Sequence, residues 1–208
     1  MNIREAYDHW SKQYDSNINK TRDLEAIALR KILSPLKFDS CLEIGCGTGK
    51  NTEWFATKTK HCVAVDLSEE MLSVAKKKIN LSSVQFLQAD IKKEWDFVNR
   101  KFDLVSFSLV LEHIEDLDYI FCKTSKVLVK GGYVYLGELH PFKQYSGTKA
   151  RFETEEGLQT VSCFDHHISD FIQSSNKYGL EIVSINEFFD DNDRTTIPRI
   201  LTLLLKKL

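Results

Sequence analysis

The segment from Cys41 to Gly49, Cys-Leu-Glu-Ile-Gly-Cys-Gly-Thr-Gly, constrains the fold more than any other part of the chain. Its apolar start, Cys41 to Ile44, predicts a short buried strand, and a helical pattern begins after the glycines. Glycines at alternate positions allow a sharp turn and let a ligand approach the backbone, because glycine has no Cβ. The first N–H groups of the helix would face that ligand. The segment therefore predicts a small-molecule site at the carboxyl end of a first strand.

Strand-like and helical patterns alternate beyond this segment. Apolar runs typical of buried strands cover 41–44, 61–65, 84–87, 103–107 and 133–139, and helical patterns cover 48–59, 68–78 and 117–128. This alternation favours right-handed βαβ units and a parallel sheet with helices on both faces. Two later strand-like runs, 181–189 and 200–205, have no helix between them and predict an antiparallel edge. The sequence therefore predicts a single α/β domain over residues 1–208, a doubly wound, seven-stranded, mostly parallel sheet with one antiparallel edge strand.

Length, charge and cysteine usage exclude several classes of protein. The 208 residues suffice for one α/β domain with a large core. A formal net charge of −2 provides no general attraction to nucleic acid or anionic membranes, so neither is an expected partner. The five cysteines contain no Cys-x-x-Cys pair and indicate a reducing compartment, without a disulfide framework or a metal site. There is no apolar leader and no run of ~20 apolar residues. We therefore expect a cytoplasmic monomer or homodimer.

Two segments are expected to cover the site. Residues 1–34 form a predicted N-terminal helical cap, in which Tyr7, Trp10 and Tyr14 are spaced to share one helical face. Residues 140–164 form an insertion before the next helix, with a predicted hairpin that turns at residues 155–158. Since loops at this end of a sheet often select the substrate, the insertion is assigned to the substrate side.

The acidic residues after the next strands narrow down the ligand. A phosphate-binding P-loop needs Gly-Lys-Ser/Thr, but Asn51 follows Lys50, and a dinucleotide fingerprint needs a glycine where Lys50 stands. On the glycines alone, a turn without a ligand remains open. Asp66 and Asp90 close the second and third strands, where carboxylates suit a ribose diol and an adenine amine. Glu43 adds negative charge before the glycines. Together they favour an adenosine that carries positive charge, and S-adenosylmethionine, a sulfonium with an ammonium group, fits.

These motifs resemble the class I S-adenosylmethionine-dependent methyltransferases of the small-molecule type. The matching segments cover about the first two thirds of the chain in the family's order: Leu-Glu-Ile-Gly-Cys-Gly-Thr-Gly (42–49), Val-Asp-Leu-Ser-Glu-Glu-Met-Leu (65–72), Gln-Ala-Asp-Ile (88–91), Phe-Asp-Leu-Val (102–105), Leu-Val-Leu-Glu-His-Ile (109–114) and Leu-Val-Lys-Gly-Gly (128–132). The resemblance implies a Rossmann-like methyltransferase fold, with S-adenosylmethionine as cofactor and S-adenosylhomocysteine as product.

The resemblance also implies which residues hold the cofactor, with Glu43 as an acidic neighbour. They are Gly45, Cys46, Gly47, Ser106 and Ser108 for the methionine part, Asp66 for the ribose, Leu67, Met71, Asp90 and Ile91 for the adenine, Tyr14 as a cover and Arg22 as partner of the carboxylate. An alternative for the aromatic residues of the cap is a plain packing face.

Methyl transfer from a sulfonium is an in-line displacement, which requires alignment and a base where the acceptor is protonated. Glu138 and His140 alternate with apolar residues at the end of the fifth strand, so they share one face. They are the predicted orienting acid and base, and a polar pair facing water is the alternative. His113 is predicted to pack rather than to catalyse. The pair His166 and His167 lacks a third metal ligand, and the preceding Asp165 is the predicted N-cap of the next helix.

The sequence thus predicts transfer of a methyl group from S-adenosylmethionine to the N, O or S atom of a small-molecule acceptor. Residues 21–24, 138–142 and 166–167 faintly resemble the methyltransferase part of ovothiol biosynthesis, which implies an imidazole nitrogen of a thiol-histidine as acceptor. Two alternatives stay open. The chain could methylate RNA or protein, or it could bind S-adenosylmethionine without catalysis.

Overall fold

The computed structural model describes residues 3–148, 151–154, 157–161 and 163–208. The strands within these ranges are β1 (Ser40–Ile44), β2 (His61–Asp66), β3 (Val84–Gln88), β4 (Phe102–Ser108), β5 (Leu128–Leu139), β6 (Arg151–Thr154), β7 (Gly157–Thr160), β8 (Leu180–Phe188) and β9 (Ile200–Lys207). The α-helices are α1 (Ile3–Trp10), α2 (Lys20–Leu33), α3 (Lys50–Lys58), α4 (Glu69–Lys78), α5 (Leu117–Val127), α6 (Pro141–Tyr145) and α7 (Ile168–Lys177). Most lie within a few residues of the predicted ranges.

Seven strands form one sheet in the order β3-β2-β1-β4-β5-β9-β8. The pairs from β3 to β5 are parallel, whereas β9 runs antiparallel to both β5 and β8. This confirms the predicted fold class. The chain leaves β1 in one direction and returns to place β4 on its other side, so a crevice opens between the loops that follow these two strands. The first glycine loop lies at that switch point.

The hairpin of the insertion is a separate two-stranded sheet in which Arg151 pairs with Thr160 and Thr154 with Gly157. The first two residues of its predicted turn, Glu155 and Glu156, lie outside the described residues. None of the helices in the described part of the chain combines the length and the apolarity that a membrane crossing needs. The cytoplasmic location stays a prediction.

The sheet is covered on both faces, and β4 shows how the sequence produces this arrangement. Leu104 packs in one buried cluster with Leu29, Phe55 and other residues of α2 and α3. The next residue, Val105, enters a larger cluster on the other face, where Phe121 of α5 also lies. Successive side chains of a strand point to opposite faces, so a strand buried on both sides is apolar throughout.

Several predicted helix ends were wrong, and glycine geometry explains two of them. Helix α3 has Gly49 at its N-cap, at a φ of 85° that favours glycine. Thr48, where the predicted helix began, lies before the helix and donates a hydrogen bond to Asp15 (2.6 Å). Strand β5 starts at Leu128, and Gly131, with a φ of 78°, lies inside it where the register with β4 shifts. The two glycines after α5 therefore belong to a bulged strand and not to a loop.

Two further boundaries differ in the cap and before α7. Helix α1 ends at Trp10, and residues 11–16 form turns, so Tyr14 does not share a helical face with Tyr7 and Trp10 as its spacing predicted. The N-cap of α7 is His167, whose N–H donates to Asp170 (2.8 Å), and not Asp165. A carboxylate in the first turn fulfils the same electrostatic role from inside the helix.

Helix α1 lies across the carboxyl end of the sheet because it packs on α4. Ala6 and Trp10 share a buried cluster with Met71. Ser68, the N-cap of α4, also donates a hydrogen bond to Asp8 (2.5 Å). These contacts place the aromatic face of α1 over the crevice beside β1.

Candidate functional site

A cavity with an empty volume of about 750 Å³ lies at the carboxyl ends of β1, β2 and β4, under α1 and Tyr14. We call it the first cavity. The residues predicted for cofactor binding that line it are Tyr14, Gly45, Gly47, Asp66, Leu67, Met71, Asp90, Ile91 and Ser108. They come from five separate segments of the chain. Four of these lie at the ends of parallel strands, which meet at one edge of the sheet, and Tyr14 belongs to the N-terminal cap.

The glycine loop forms the floor of the first cavity. Gly45 has a φ of 72°, and a Cβ at this position would lie 2.2 Å from Cγ2 of Val110, so only glycine fits without movement. Gly47 has a φ of 53° and nothing within 4 Å of the Cβ position, which leaves its backbone open to the cavity. The Gly45 N–H donates to the carbonyl of Val65 (2.8 Å), which anchors the loop on β2.

Asp66 ties the end of β2 to the glycine loop. Its Oδ2 accepts from the Gly47 N–H (2.8 Å), and its Oδ1 accepts from the Ser68 N–H (2.9 Å). Burial raises the pKa of Asp66, and these backbone N–H groups oppose that rise. Each carboxylate oxygen has two lone pairs, so acceptor capacity remains for a vicinal diol. Asp90 lies further out, with only the Lys92 N–H (3.0 Å) as its described hydrogen-bond donor.

Four residues predicted for cofactor contact do not line the first cavity. Glu43 lies in the sheet beside Ser106, and its carboxylate accepts from Thr52 (2.5 Å). Glu43 and Ser106 are buried, at 3% and 0% exposure. Both lie inside strands, where the side chain points into a covered face of the sheet and not toward the cavity at the strand end. Cys46 is also buried, in a cluster with Ala64 and Leu72.

Arg22 is the fourth of these residues. It donates to the carbonyls of Tyr14 and Asn17, and its guanidinium lies 5.2 Å from the centroid of the Tyr14 ring. Arg22 therefore shapes the turn that carries Tyr14 over the cavity, and it reaches the cavity only through that turn.

The predicted catalytic acid, Glu138, does not line the first cavity. It is 2% exposed, and its Oε1 accepts from the N–H groups of Val110 (3.2 Å) and Leu111 (3.0 Å). Burial raises the pKa of Glu138 to about 8. The residue thus fixes the turn after β4, which forms part of the cavity wall, and its placement does not support a catalytic role.

His140, the predicted base, is fully buried. Its Nδ1 accepts from the Phe142 N–H (3.2 Å), so Nε2 carries the proton and lies 3.1 Å from Oε1 of Glu187. Burial lowers the pKa of His140, and Glu187 opposes this. Both nitrogens are occupied, so no lone pair is available to an acceptor. Leu139, between Glu138 and His140, lines a second cavity that is described below.

A second cavity adjoins the first and shares Tyr7, Tyr14 and Leu109 with it. Its other lining residues are Trp10, Ile18, Asn19, Lys20, Thr21, Glu112, Leu139, Thr148 and Arg199. The second cavity thus lies between the helical cap, the turn after β4 and the start of β9. It is the space next to the first cavity where a second molecule would bind.

Tyr7, Glu112 and His113 form a polar group at the junction of the two cavities. The Tyr7 hydroxyl lies 2.8 Å from Nε2 of His113, and Glu112 Oε1 lies 3.8 Å from the same nitrogen. Glu112 is 7% exposed, and burial raises its pKa to about 7, which Cys163 opposes with a hydrogen bond. A carboxyl group with a pKa near 7 can act as a base near neutral pH.

Sequence reasoning missed this group. Tyr7 and His113 are 106 residues apart, and only the packing of α1 on α4 brings them together. The signal that existed is Leu-Glu-His-Ile directly after β4, since polar residues that follow a parallel strand lie at the edge where ligands bind. The other histidines do not contribute: His166 Nε2 lies 2.7 Å from the carbonyl of Ile114, and His167 Nδ1 lies 2.6 Å from the Tyr145 hydroxyl.

Among the described residues, no three or more His, Cys, Asp or Glu side chains are placed so that they could hold a metal ion together. The cavities instead carry backbone N–H groups, carboxylates and aromatic rings. These groups suit an organic ligand with hydroxyl groups and positive charge.

Comparisons with known proteins agree with this description. Residues 42–136 match the protein family described as "Methyltransferase domain". The chain is 28% identical over 123 residues to the ubiquinone biosynthesis O-methyltransferase of Pelagibacter ubique, a match that covers 58% of this chain and 50% of that protein. It is 30% identical over 183 residues to phosphoethanolamine N-methyltransferase 3 of Arabidopsis thaliana, covering 81% of this chain and 35% of that protein. The chain thus spans half or less of these relatives.

Solved structures with the same fold cover nearly the whole chain. The N-methyltransferase NodS from Bradyrhizobium japonicum, determined with S-adenosyl-L-homocysteine, superposes with a TM-score of 0.74 at 19% identity, covering 100% of this chain and 99% of that chain. A methyltransferase dependent on S-adenosylmethionine from Mesorhizobium loti gives a TM-score of 0.73 at 18% identity, covering 88% and 98%. At these identities the likeness establishes the fold.

Proposed function

We propose that this chain belongs to the class I S-adenosylmethionine-dependent methyltransferase family and that it transfers a methyl group from S-adenosylmethionine to a small-molecule acceptor. The observation that carries the proposal is the first cavity, where Gly45 and Gly47, Asp66 and Asp90 meet at one edge of the sheet. The acceptor would bind in the second cavity, which adjoins it at Tyr7 and Tyr14.

The residues of the first cavity fit S-adenosylmethionine by their chemistry. Asp66 would accept from the ribose hydroxyls, and Leu67, Met71, Asp90 and Ile91 would hold the adenine. Gly45, Gly47 and Ser108 would contact the methionine part, and Tyr14 would cover it. When bound, S-adenosylmethionine supplies a methyl group activated by a positively charged sulfur.

Glu112 is the residue we assign to the acceptor's proton. It lines the second cavity, and its pKa of about 7 suits proton uptake near neutral pH. Tyr7, held by its hydrogen bond to His113, closes the junction and would keep water from the reacting atoms. Glu43, Cys46, Ser106 and Arg22 would act indirectly, by supporting residues that touch the cofactor.

A small-molecule acceptor is supported by the names of the relatives, which describe O-methylation in ubiquinone biosynthesis and N-methylation of phosphoethanolamine. The imidazole acceptor has no such support, and the histidines that suggested it line neither cavity. The atom that accepts the methyl group stays open among N, O and S.

Calorimetry and a turnover assay test the proposal together. We expect S-adenosylmethionine and S-adenosylhomocysteine to bind with one site per chain, and we expect S-adenosylhomocysteine to be released with some member of a panel of amines, phenols and thiols. If neither S-adenosylmethionine nor S-adenosylhomocysteine binds, the proposal is wrong. Binding without turnover on the panel would favour a non-catalytic binding protein, and turnover on RNA alone would favour the nucleic-acid alternative.

Tyr7→Phe is expected to lower kcat by about tenfold, which corresponds to one hydrogen bond of about 1.4 kcal/mol. The phenyl ring still packs on Trp10, which lies 5.7 Å from Tyr7 between ring centroids, so the affinity for S-adenosylmethionine should change less than about threefold. Tyr145→Phe is the matched control, because it removes a similar bond to His167 outside both cavities. Equal kcat values for Tyr7→Phe and the wild type would remove Tyr7 from the mechanism.

His140→Ala is expected to destabilise the fold by about 1–3 kcal/mol without lowering turnover per folded molecule. The change removes the N-cap acceptor of α6 and the contact with Glu187. His140→Asn is the control, since asparagine retains an N-cap acceptor and should recover part of the loss. Thermal unfolding and kcat would be measured side by side, and a kcat reduced more than tenfold in both variants would restore His140 as the base.

A further inference from the structure

We propose that the second cavity selects acceptors that carry an anionic group in addition to the amine that receives the methyl group. This inference rests on the proposed methyl transfer and adds the substrate class. The lining of the cavity carries opposite charges. Lys20 and Arg199, which are connected through the hydrogen bond from Arg199 to Thr21, form what we call the positive end, and Glu112, next to His113 of the first cavity, forms the negative end. A molecule with both charges would pair with each end.

Arg199 is held in place at the positive end. Its Nε and Nη2 contact the carboxylate of Asp190 at 2.5 and 2.6 Å, and its Nη1 donates to Oγ1 of Thr21 at 3.2 Å. Nη1 carries a second N–H that none of the described hydrogen bonds uses. The Thr21 hydroxyl accepts from Arg199, so its own proton is free to turn toward the cavity. The guanidinium is therefore preorganised for an anion, and little side-chain entropy is lost on binding.

Lys20 adds an exposed positive charge at the same end. The described hydrogen bonds and ion pairs do not include its ammonium group. Because Asp190 already balances the charge of Arg199, Lys20 gives this end its net positive charge. A carboxylate or phosphonate between Lys20 and Arg199 would gain charge-assisted hydrogen bonds.

The negative end is next to the reacting atoms. Glu112 belongs to the short 3-10 helix Leu111–His113, and His113 lines the first cavity. In neutral water an aliphatic amine is protonated, so it enters the cavity as an ammonium ion, which the Glu112 carboxylate attracts. Its proton passes to the Glu112 carboxylate, the nitrogen lone pair forms the new N–C bond, and the electrons of the S–C bond stay on sulfur, which becomes a neutral thioether. The methylated product is an ammonium ion with the same total charge as the ammonium that entered.

Acceptors that differ in one end group test this selection. We would measure kcat/KM with saturating S-adenosylmethionine for 3-aminopropanoic acid and 3-aminopropylphosphonic acid, against propylamine and 3-aminopropan-1-ol. We expect the two anionic amines to exceed the two uncharged-tail amines by about tenfold or more. Equal values, or a preference for the uncharged tails, would overturn the inference while leaving methyl transfer intact.

Lys20→Met identifies the residue responsible. The position is exposed, and we expect the KM for the anionic amines to rise about fivefold and that for propylamine to rise less than about twofold, as a lost packing contact alone would give. Lys37→Met, at an exposed position outside the cavity, is the control. An equal effect of Lys20→Met on both classes of acceptor contradicts the inference.

Equilibrium binding separates this inference from the proposed function. If none of the four amines is methylated, their binding to the S-adenosylhomocysteine complex still decides, because a site of two charges binds the anionic amines more tightly. No preference there overturns the inference alone. Failure to bind S-adenosylmethionine or S-adenosylhomocysteine overturns the proposed function, and the inference with it.

Discussion

Asp66→Ala is expected to weaken the binding of S-adenosylmethionine by about 100-fold or more. A carboxylate that accepts from both ribose hydroxyls contributes two charge-assisted hydrogen bonds, and their loss costs about 3 kcal/mol, which corresponds to about 100-fold in Kd. The same change removes the acceptor of the Gly47 N–H and so loosens the glycine loop. Titration calorimetry on the folded variant gives the affinity directly.

Two other aspartates provide the comparison. Asp90→Ala removes a residue of the same cavity that holds only the Lys92 N–H, and we expect a loss of about tenfold or less. Asp39→Ala lies before β1, at the opposite end of the sheet, where its exposed carboxylate pairs with Lys60. It should leave the affinity unchanged. An affinity of Asp66→Ala within threefold of the wild type would refute the assignment of the ribose to this residue.

The fold and the first cavity could be predicted because they depend on the ends of parallel strands. Asp66, Asp90 and the glycines all follow apolar runs directly, and in a parallel sheet those positions meet at one edge. Gly45 is a case where sequence and structure agree in detail, since the positive φ and the close approach of Val110 both demand glycine. No long-range information was needed beyond the alternation of strands and helices.

Side-chain direction within a buried strand could not be predicted in the same way. A strand covered on both faces has no polar side to mark its orientation, so the sequence does not tell which face Glu43 or Ser106 joins. Period two grouped Glu138 with His140 as site residues, but it is Leu139 that lines the second cavity. Tyr7 and Glu112 were missed for another reason, because their proximity depends on how the helical cap packs and not on local pattern.

The cysteines show which structural roles can be predicted from the sequence and which cannot. Cys41 and Cys62 are buried free cysteines that lie opposite each other in the register of the neighbouring strands β1 and β2. Their role as small core residues follows from the apolar runs in which they stand. Cys163 is different, since its Sγ lies 3.9 Å from Nδ1 of His113, and no sequence pattern linked these two residues.

The buried carboxylic acids behind the cavities lead to a second large effect, on stability. Burial raises the pKa of Glu25 to about 7 and that of Glu43 to about 8. Glu112 and Glu138 are shifted in the same direction, with pKa values of about 7 and about 8. In the unfolded chain these groups ionise near pH 4.5, so between there and about pH 8 the folded protein binds more protons than the unfolded chain.

Stability therefore falls as the pH rises through this window. Each extra proton held by the folded protein lowers the free energy of unfolding by about 1.4 kcal/mol per pH unit. The lowered pKa of His140 has the opposite effect: below the usual pKa of histidine the folded protein binds fewer protons at this residue than the unfolded chain does. This contribution makes the decrease of stability with pH less steep. We expect a net loss of about 3 kcal/mol or more between about pH 5.5 and about pH 8, measured by urea unfolding without ligand.

Glu43→Gln should reduce this slope and raise the stability at about pH 8, because an amide can still accept from Thr52 without becoming charged. Glu53→Gln, on the exposed side of α3, is the matched control and should leave the curve unchanged. A stability that is flat or rises over this range would show that the buried acids ionise as they do in the unfolded chain.

The same acids should make the preference for S-adenosylmethionine over S-adenosylhomocysteine depend on pH. A sulfonium beside Asp66 favours ionised carboxylates, and Glu43 interacts with Asp66 across the strand ends, so binding of the cation releases protons. The neutral thioether of the product has no such effect. From about pH 5.5 to about pH 8, we expect the Kd of S-adenosylmethionine to fall by about three- to tenfold relative to the Kd of S-adenosylhomocysteine in the wild type. The relative change should be smaller in Glu43→Gln. Parallel pH profiles for both ligands would separate the buried acids from cofactor recognition and leave them a role in folding alone.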